Sequence, residues 1–193
     1  MATSDNRRHE YPLRILTGQT ASGKSAVAVC LARETGAELV SLDSMKVYRG
    51  LDIGTAKPSA DVRSAVRFHM IDVVEPAESF SLAEYLRGAH QALREIRLRG
   101  KEPLFVGGTP LYLRGLLYGI FEGPSADHSL RSELMKRAEA EGAPALHAEL
   151  RRVDPVTADR LHPNDLVRIV RALEVARVTG RPLSEHQRQY PAP

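Results

Sequence analysis

The chain runs from the apolar segment LRILT into GQTASGKSAVAVCLARE, a glycine-bounded loop followed by a helical pattern. No other stretch constrains the fold as tightly. Gly18, Gly23, Lys24 and Ser25 occupy the fixed places of the G-x-x-x-x-G-K-[ST] phosphate loop, with Gln19, Thr20, Ala21 and Ser22 between them. With a strand before it and a helix after it, the loop's backbone N–H groups and the helix N-terminus converge on one spot that stabilises an anion. Lys24 adds a mobile cation, and the Ser25 hydroxyl can hold a Mg²⁺ that bridges phosphate oxygens. The loop specifies a polyphosphate. It leaves open which one, and whether phosphate is what moves.

The rest of the first half continues the alternation of strand and helix. Apolar runs at 13–17, 38–42, 69–74 and 104–106 read as buried parallel strands, and 25–35, 59–67, 82–99 and 111–117 as helices. The expected fold is α/β: a phosphate-loop parallel sheet whose working face lies at the C-terminal ends of its strands. After Phe121 the pattern becomes helical, with candidates at 129–140, 144–153 and 165–178. Asn164 is the expected N-cap of the last of these, and Leu166, Ile169, Val170 and Leu173 its apolar stripe. The expected division is a core over 1–120 and a helical insertion over 121–193. Sheets of this kind commonly carry at least five strands and only four are legible, so the expectation is a chain that stops, in QRQYPAP, before its fold does.

Composition narrows the functional classes. A formal charge of +3 over 193 residues is compatible with a nucleic-acid partner and equally with ordinary solubility. A single cysteine, Cys30, excludes an internal disulfide framework, fits a reducing compartment, and reads as a core residue of the helix after the loop. The start, MATSDNRRHEYP, lacks the apolar run of a signal peptide, and no stretch reaches the length of a membrane span. The expectation is a cytoplasmic protein.

Several residues can carry chemistry. Asp43 falls where the second strand ends, on the same rim as the loop, where a carboxylate can bind Mg²⁺, hold a hydroxyl or take a proton. It could also cap a helical turn opened by DSMK. Asp52 and Lys57 read as a solvated loop, and Asp72, between Ile71 and Val73, as a structural carboxylate that needs a partner. Gly107 and Gly108 let the backbone approach a ligand, and Thr109 then stands at a helix start on the rim. This strand does not end in the acid that usually holds Mg²⁺ in a phosphate-loop ATPase. The histidines show no metal-ligand spacing. Arg168 and Arg171, three apart, could grip RNA, although spacing alone favours a solvated face.

Four stretches occur in one order: GQTASGKS, DSMKVYRGLDIGTAKP, GGTPLYLRGLL and DPVTADRLHPNDLVRIVRALEV. Together they resemble the tRNA dimethylallyltransferases, also called tRNA isopentenyltransferases, from about Leu13 to Gly180. The resemblance implies a phosphate-loop core with a helical insertion, and transfer of a dimethylallyl group from its diphosphate to the N6 amine of the adenine beside the anticodon. It implies that the loop, Gly18 through Ser25, cradles the leaving diphosphate with Mg²⁺ assisting, with Ser25 as its ligand, and that Asp43, Thr20 and Lys24 are catalytic. It further implies tRNA contacts at Asp43, Ser44, Met45, Lys46, Thr109, Arg131 and the run Val167, Arg168, Ile169, Val170 and Arg171. The implied partners are dimethylallyl diphosphate and a tRNA anticodon stem–loop, with the protein a monomer. Members of the family are longer, so this chain alone is expected to be weakly active or inactive. It departs from the usual pattern at Gln19, where proline is common, at Lys46, where glutamine is common, and at Phe68 and Pro110.

Three other readings use the same residues. A small-molecule phosphotransferase would use the loop for ATP and the two arginines as a charge clamp. An isopentenyltransferase could act on free adenine nucleotide. A non-enzymatic product could bind RNA or diphosphate without turning them over. The missing strand-end acid and the DSMKVYRGLDIGTAKP run count against the first.

Overall fold

A computed structural model describes residues 12–121 and 123–188; the start at 1–11, which takes in most of the MATSDNRRHEYP segment, and the closing 189–193 lie outside them. The chain divides into two compact units between Gly119 and Ile120.

In the first unit, β1 (Arg14–Leu16), β2 (Glu38–Leu42), β3 (Phe68–His69) and β4 (Pro103–Gly107) form a parallel sheet in the order β1-β4-β2-β3. The helices between them are α1 (Lys24–Thr35), α2 (Ala60–Ala65), α3 (Leu82–Leu98) and, after β4, α4 (Pro110–Tyr118). All of β2 is buried, as befits a strand with neighbours on both sides and helices on both faces. On one face Leu39 and Leu104 pack with Ala28 and Ala32 of α1. The pleat turns Val40, Leu42 and Phe105 to the other face, which α3 covers. Helix α3 starts with a capping box, in which the Ser81 hydroxyl accepts from Glu84 N–H and the Glu84 carboxylate accepts from Ser81 N–H. At the opposite end of the sheet from the loop, the buried Glu38 carboxylate accepts from Arg99 at 2.7 and 3.2 Å and lies 2.7 Å from His69 Nε2. Burial alone would raise its pKa, but Arg99 and His69 outweigh burial and hold it at about 2.

Three sequence expectations for this unit are corrected. The strand expected at 69–74 is only Phe68–His69, because Met70 and Asp72 take φ of 61° and 55°, which no strand tolerates. The segment instead pairs with the loop after β2, where Asp72 N–H donates to Lys46 O and Val73 N–H to Val47 O. Cys30 is exposed rather than core. The buried stripe of α1 is Ala28 and Ala32, and Cys30 lies across the helix from it, donating to Glu34 at 3.5 Å. Lys57 is not solvated: its side chain is 1% exposed, and its ammonium donates to Tyr48 O, Asp52 and Asp72.

The second unit is helical: α5 (His128–Glu141), α6 (Ala143–Val153), α7 (Pro155–Arg160), α8 (Leu166–Thr179) and α9 (Leu183–Gln187). Its core joins Leu134 and Ala138 of α5, Leu146 and Leu150 of α6, and Ile169 and Leu173 of α8. Helices α7 and α9 were not legible because six and five residues are too few to show a period. Asp165, not Asn164, caps α8, its carboxylate accepting from Arg168 N–H. Among the described residues no helix is long and apolar enough to cross a membrane.

Candidate functional site

Three chain segments leave the sheet at the same rim, and glycine packs them against one another. A Cβ on Gly107 would lie 2.3 Å from the Leu42 carbonyl oxygen, and one on Gly108 would lie 3.2 Å from the Gly18 carbonyl oxygen. The turn after β4 therefore sits flush on the end of β2 and on the start of the phosphate loop. Thr109 N–H then donates to Leu42 O at 3.1 Å, and Ser44 N–H donates to the Thr109 hydroxyl at 3.1 Å. Thr109 is the N-cap of α4 yet makes no cap bond with its side chain. Its oxygen is engaged in holding Ser44.

The phosphate loop wraps the N-terminus of α1. Gly23, at φ 81°, is the N-cap and brings no side chain, and no acidic residue stands in the first turn. The leading N–H groups of α1 thus have no side-chain acceptor, which leaves them for an anion. Ala21 also takes a left-handed φ, 62°, which turns the loop sharply before Ser22 and Gly23. Ser22 N–H donates to Gln19 O at 3.4 Å, and the Lys24 ammonium donates to the same carbonyl. Thr20 and Ser25 are exposed, and among the described residues neither hydroxyl has a hydrogen-bond partner. No group of three or more acidic, histidine or cysteine side chains among these residues is placed to hold a metal, and the open Thr20 and Ser25 hydroxyls are the loop oxygens that could ligate a cation bound with phosphate.

Asp43 follows the end of β2 on this rim. Its Oδ1 accepts from Met45 N–H at 2.8 Å and Lys46 N–H at 3.3 Å, so the turn-capping role is real. Its Oδ2 has no hydrogen-bond partner among the described residues and can take a proton or a hydrogen bond. Lys46 is half-buried, and its pKa is lowered first by burial, with the charge of Lys24 acting the same way and that of Asp43 opposing. Lys46 is therefore within electrostatic reach of both the Asp43 carboxylate and the Lys24 ammonium. Behind them Tyr112 of α4 stacks on Tyr85 of α3 at 3.8 Å, and Tyr85 donates to Ser41 O at 2.9 Å. Burial, with Tyr48, Asp43 and Glu84 adding, pushes the Tyr112 hydroxyl up to about 12. Both tyrosines stay neutral and brace the end of β2.

The DSMKVYRGLDIGTAKP run continues from Asp43 into a loop organised by Lys57. Burial disfavours the ammonium, but its bonds to Asp72 and Asp52 outweigh that and raise its pKa. Asp72 also accepts from Arg63 at 2.6 Å, so the structural role read for it is what the geometry gives. No local spacing announces Lys57 or Arg63 in these roles, because their partners are set by the loop's folding.

In the second unit the α8 run separates by face. Ile169 and Val170 are 0% and 4% exposed, so an RNA contact through their side chains is corrected: they are core. Val167 is exposed, and Arg168 is exposed in a pair with Asp165 at 2.8 Å. Arg171 and Arg131 both bond to the buried Glu174, which the sequence reading did not single out.

Comparison with known proteins follows the same residues. The family model described as IPP transferase matches residues 46–193, and that described as isopentenyl transferase matches 11–75. The chain is 53% identical to a tRNA dimethylallyltransferase of Geobacter sulfurreducens over 178 residues, covering 92% of this chain and 57% of that protein. It is 56% identical to that of Methylibium petroleiphilum, covering 88% and 52%. Among solved structures, the tRNA isopentenylpyrophosphate transferase of Bacillus halodurans is 42% identical at a TM-score of 0.56, covering 88% of this chain and 56% of that one. A eukaryotic dimethylallyltransferase acting on tRNA is 27% identical at a TM-score of 0.77, covering 92% and 44%. The chain thus spans about half the length of the relatives it matches. With a model match over more than half its residues, and relatives more than 50% identical over most of its length, the chain belongs to the IPP transferase family.

Proposed function

We propose that this chain carries the diphosphate site and the proton acceptor of a tRNA dimethylallyltransferase, moving a dimethylallyl group from its diphosphate to the N6 amine of the adenine beside the anticodon. The observation that carries this reading is the pairing of the anion cradle at α1 with the open Oδ2 of Asp43, on a rim where β4 ends in glycine rather than an acid. Such a site supports departure of a diphosphate and removal of a proton. It lacks, at the end of β4, the carboxylate that phosphoryl transfer from ATP usually uses.

The dimethylallyl C1–O bond breaks and diphosphate departs with the electron pair, while N6 forms the new bond to C1. Charge develops on the leaving oxygen. The α1 N–H groups stabilise it there, together with Lys24, which exchanges the Gln19 carbonyl for the diphosphate. The N6 proton passes to Asp43 Oδ2, whose orientation is fixed because Oδ1 is held by two backbone N–H groups. Mg²⁺, held by the Ser25 hydroxyl and phosphate oxygens, would supply further charge neutralisation of the leaving group. The adenine must leave its stack to reach the rim, so contacts to RNA at Met45, Lys46, Val167 and Arg168 supply the energy for extrusion. On this reading the protein works as a cytoplasmic monomer.

Incubation of a version extended to the length of its relatives with dimethylallyl diphosphate and an anticodon stem–loop RNA, followed by mass spectrometry of the RNA, is the test. The expected result is prenylated adenine and free diphosphate, with ATP yielding no phosphorylated acceptor and AMP remaining a poor one. Phosphoryl transfer from ATP with unmodified RNA would overturn the proposal.

A further inference from the structure

Glu174 has no exposed surface, and every acceptor position of its carboxylate is filled. Oε1 accepts from Asp127 N–H at 2.8 Å and Arg131 Nε at 2.9 Å. Oε2 accepts from Arg131 Nη2 at 2.9 Å and Arg171 Nη1 at 2.5 Å. Arg171 Nη2 donates onward to Pro124 O at 3.1 Å. One guanidinium would neutralise this carboxylate, and one backbone N–H would fasten the loop before α5 to α8. Two guanidiniums leave the cluster with a net charge of +1.

Neither arginine is used up by these bonds. Their side chains remain 38% and 35% exposed. Arg131 Nη1 and Arg171 Nε have no acceptor among the described residues, and both belong to planar forks that suit phosphate oxygens. A free arginine must be ordered before it can bind, whereas these two are already ordered from behind.

We infer that Glu174 presets Arg131 and Arg171 as a fixed pair that grips one phosphodiester of a bound RNA. This rests on the RNA reading above and adds a positioning residue to it. Glu174 does not touch the ligand; it acts through the two guanidiniums.

The sign of one substitution separates positioning from plain charge. Glu174→Gln removes a negative charge and takes the cluster from +1 to +2. Were the patch only a source of positive potential, RNA would bind more tightly. Positioning predicts the reverse: affinity for an anticodon stem–loop RNA about tenfold weaker, the loss expected when a charge-assisted pair is no longer held in place. The slope of log affinity against log salt should also shrink by about 0.7 for each phosphate no longer gripped. Circular dichroism at the assay temperature checks that the variant is folded. If it is not, the double variant Arg131→Lys/Arg171→Lys decides, since it keeps Glu174 and both charges but removes the forks, and it too should bind RNA more weakly than wild type. If wild type binds RNA and a folded Glu174→Gln binds it equally or more tightly, the inference alone is overturned; an unchanged affinity in the lysine variant does the same. A wild-type chain that binds neither the stem–loop nor an unrelated single-stranded RNA overturns the RNA reading and the inference with it.

Discussion

Replacing Gly107 with alanine tests whether close packing of the rim builds the site. The added methyl would meet Leu42 at its carbonyl oxygen, carbonyl carbon and Cβ, at 2.3, 2.5 and 2.7 Å. Two of these are backbone atoms of the central strand and cannot swing aside. Overpacking of this kind costs about 1–3 kcal/mol. If the strand ends part, the Thr109 N–H to Leu42 O bond and the Ser44 N–H to Thr109 hydroxyl bond go too, at about 1 kcal/mol each. The expected loss is therefore about 3–5 kcal/mol in urea unfolding. Isothermal titration with dimethylallyl diphosphate should show weakened binding even where the variant is folded. Two controls bracket the result. Gly108→Ala meets only the Gly18 carbonyl, at 3.2 Å, so it should disturb diphosphate binding more than stability. Gly54→Ala meets nothing within 4 Å and has no left-handed φ, so it should be neutral or slightly stabilising. A Gly107→Ala protein within about 0.5 kcal/mol of wild type, a shift no larger than ordinary surface changes give, would refute the packing argument.

In a version extended to the length of its relatives, Lys24→Ala should slow transfer at least ~10²-fold, measured as diphosphate release, and near-normal turnover would remove the loop from the leaving-group site. Asp43→Asn preserves an oxygen for the Met45 and Lys46 N–H groups, so RNA affinity should hold while the transfer rate drops ~10²–10⁴-fold. Equal losses in rate and binding would make Asp43 a docking residue. Glu38 governs acid stability. Its pKa is lowered from 4.5 to about 2 on folding, so its contribution is complete above about 4.5 and is lost as pH falls through about 2. The difference amounts to about 3 kcal/mol. Urea midpoints of wild type and Glu38→Gln should therefore converge between pH 4.5 and 2, and parallel curves would count against the assignment.

Local chemistry made much of this protein legible in advance. The phosphate loop and the strand–helix alternation around it lie within a few residues of chain, where backbone preference and spacing act directly. The same holds for the helices α5, α6 and α8, whose apolar periods are long enough to read. The stripe of Leu166, Ile169, Val170 and Leu173 packs as its spacing requires. That same packing takes Ile169 and Val170 out of reach of RNA, because a helix cannot give one face to both core and ligand. Tertiary structure alone decided the rest. Lys57 is buried because Asp72, fifteen residues away, folds back beneath it, and Arg131 is clamped because Glu174 lies 43 residues on. The strand at 69–74 failed for a related reason: an apolar run marks burial, but the left-handed turns at Met70 and Asp72 send it to pair with the loop after β2. Cys30 sits among apolar neighbours in sequence, yet the side of α1 that packs on the sheet carries Ala28 and Ala32, with Val29 beside them, and leaves Cys30 exposed. Sequence spacing sets which residues share a face, while contacts between distant segments set which face is covered and which charges meet.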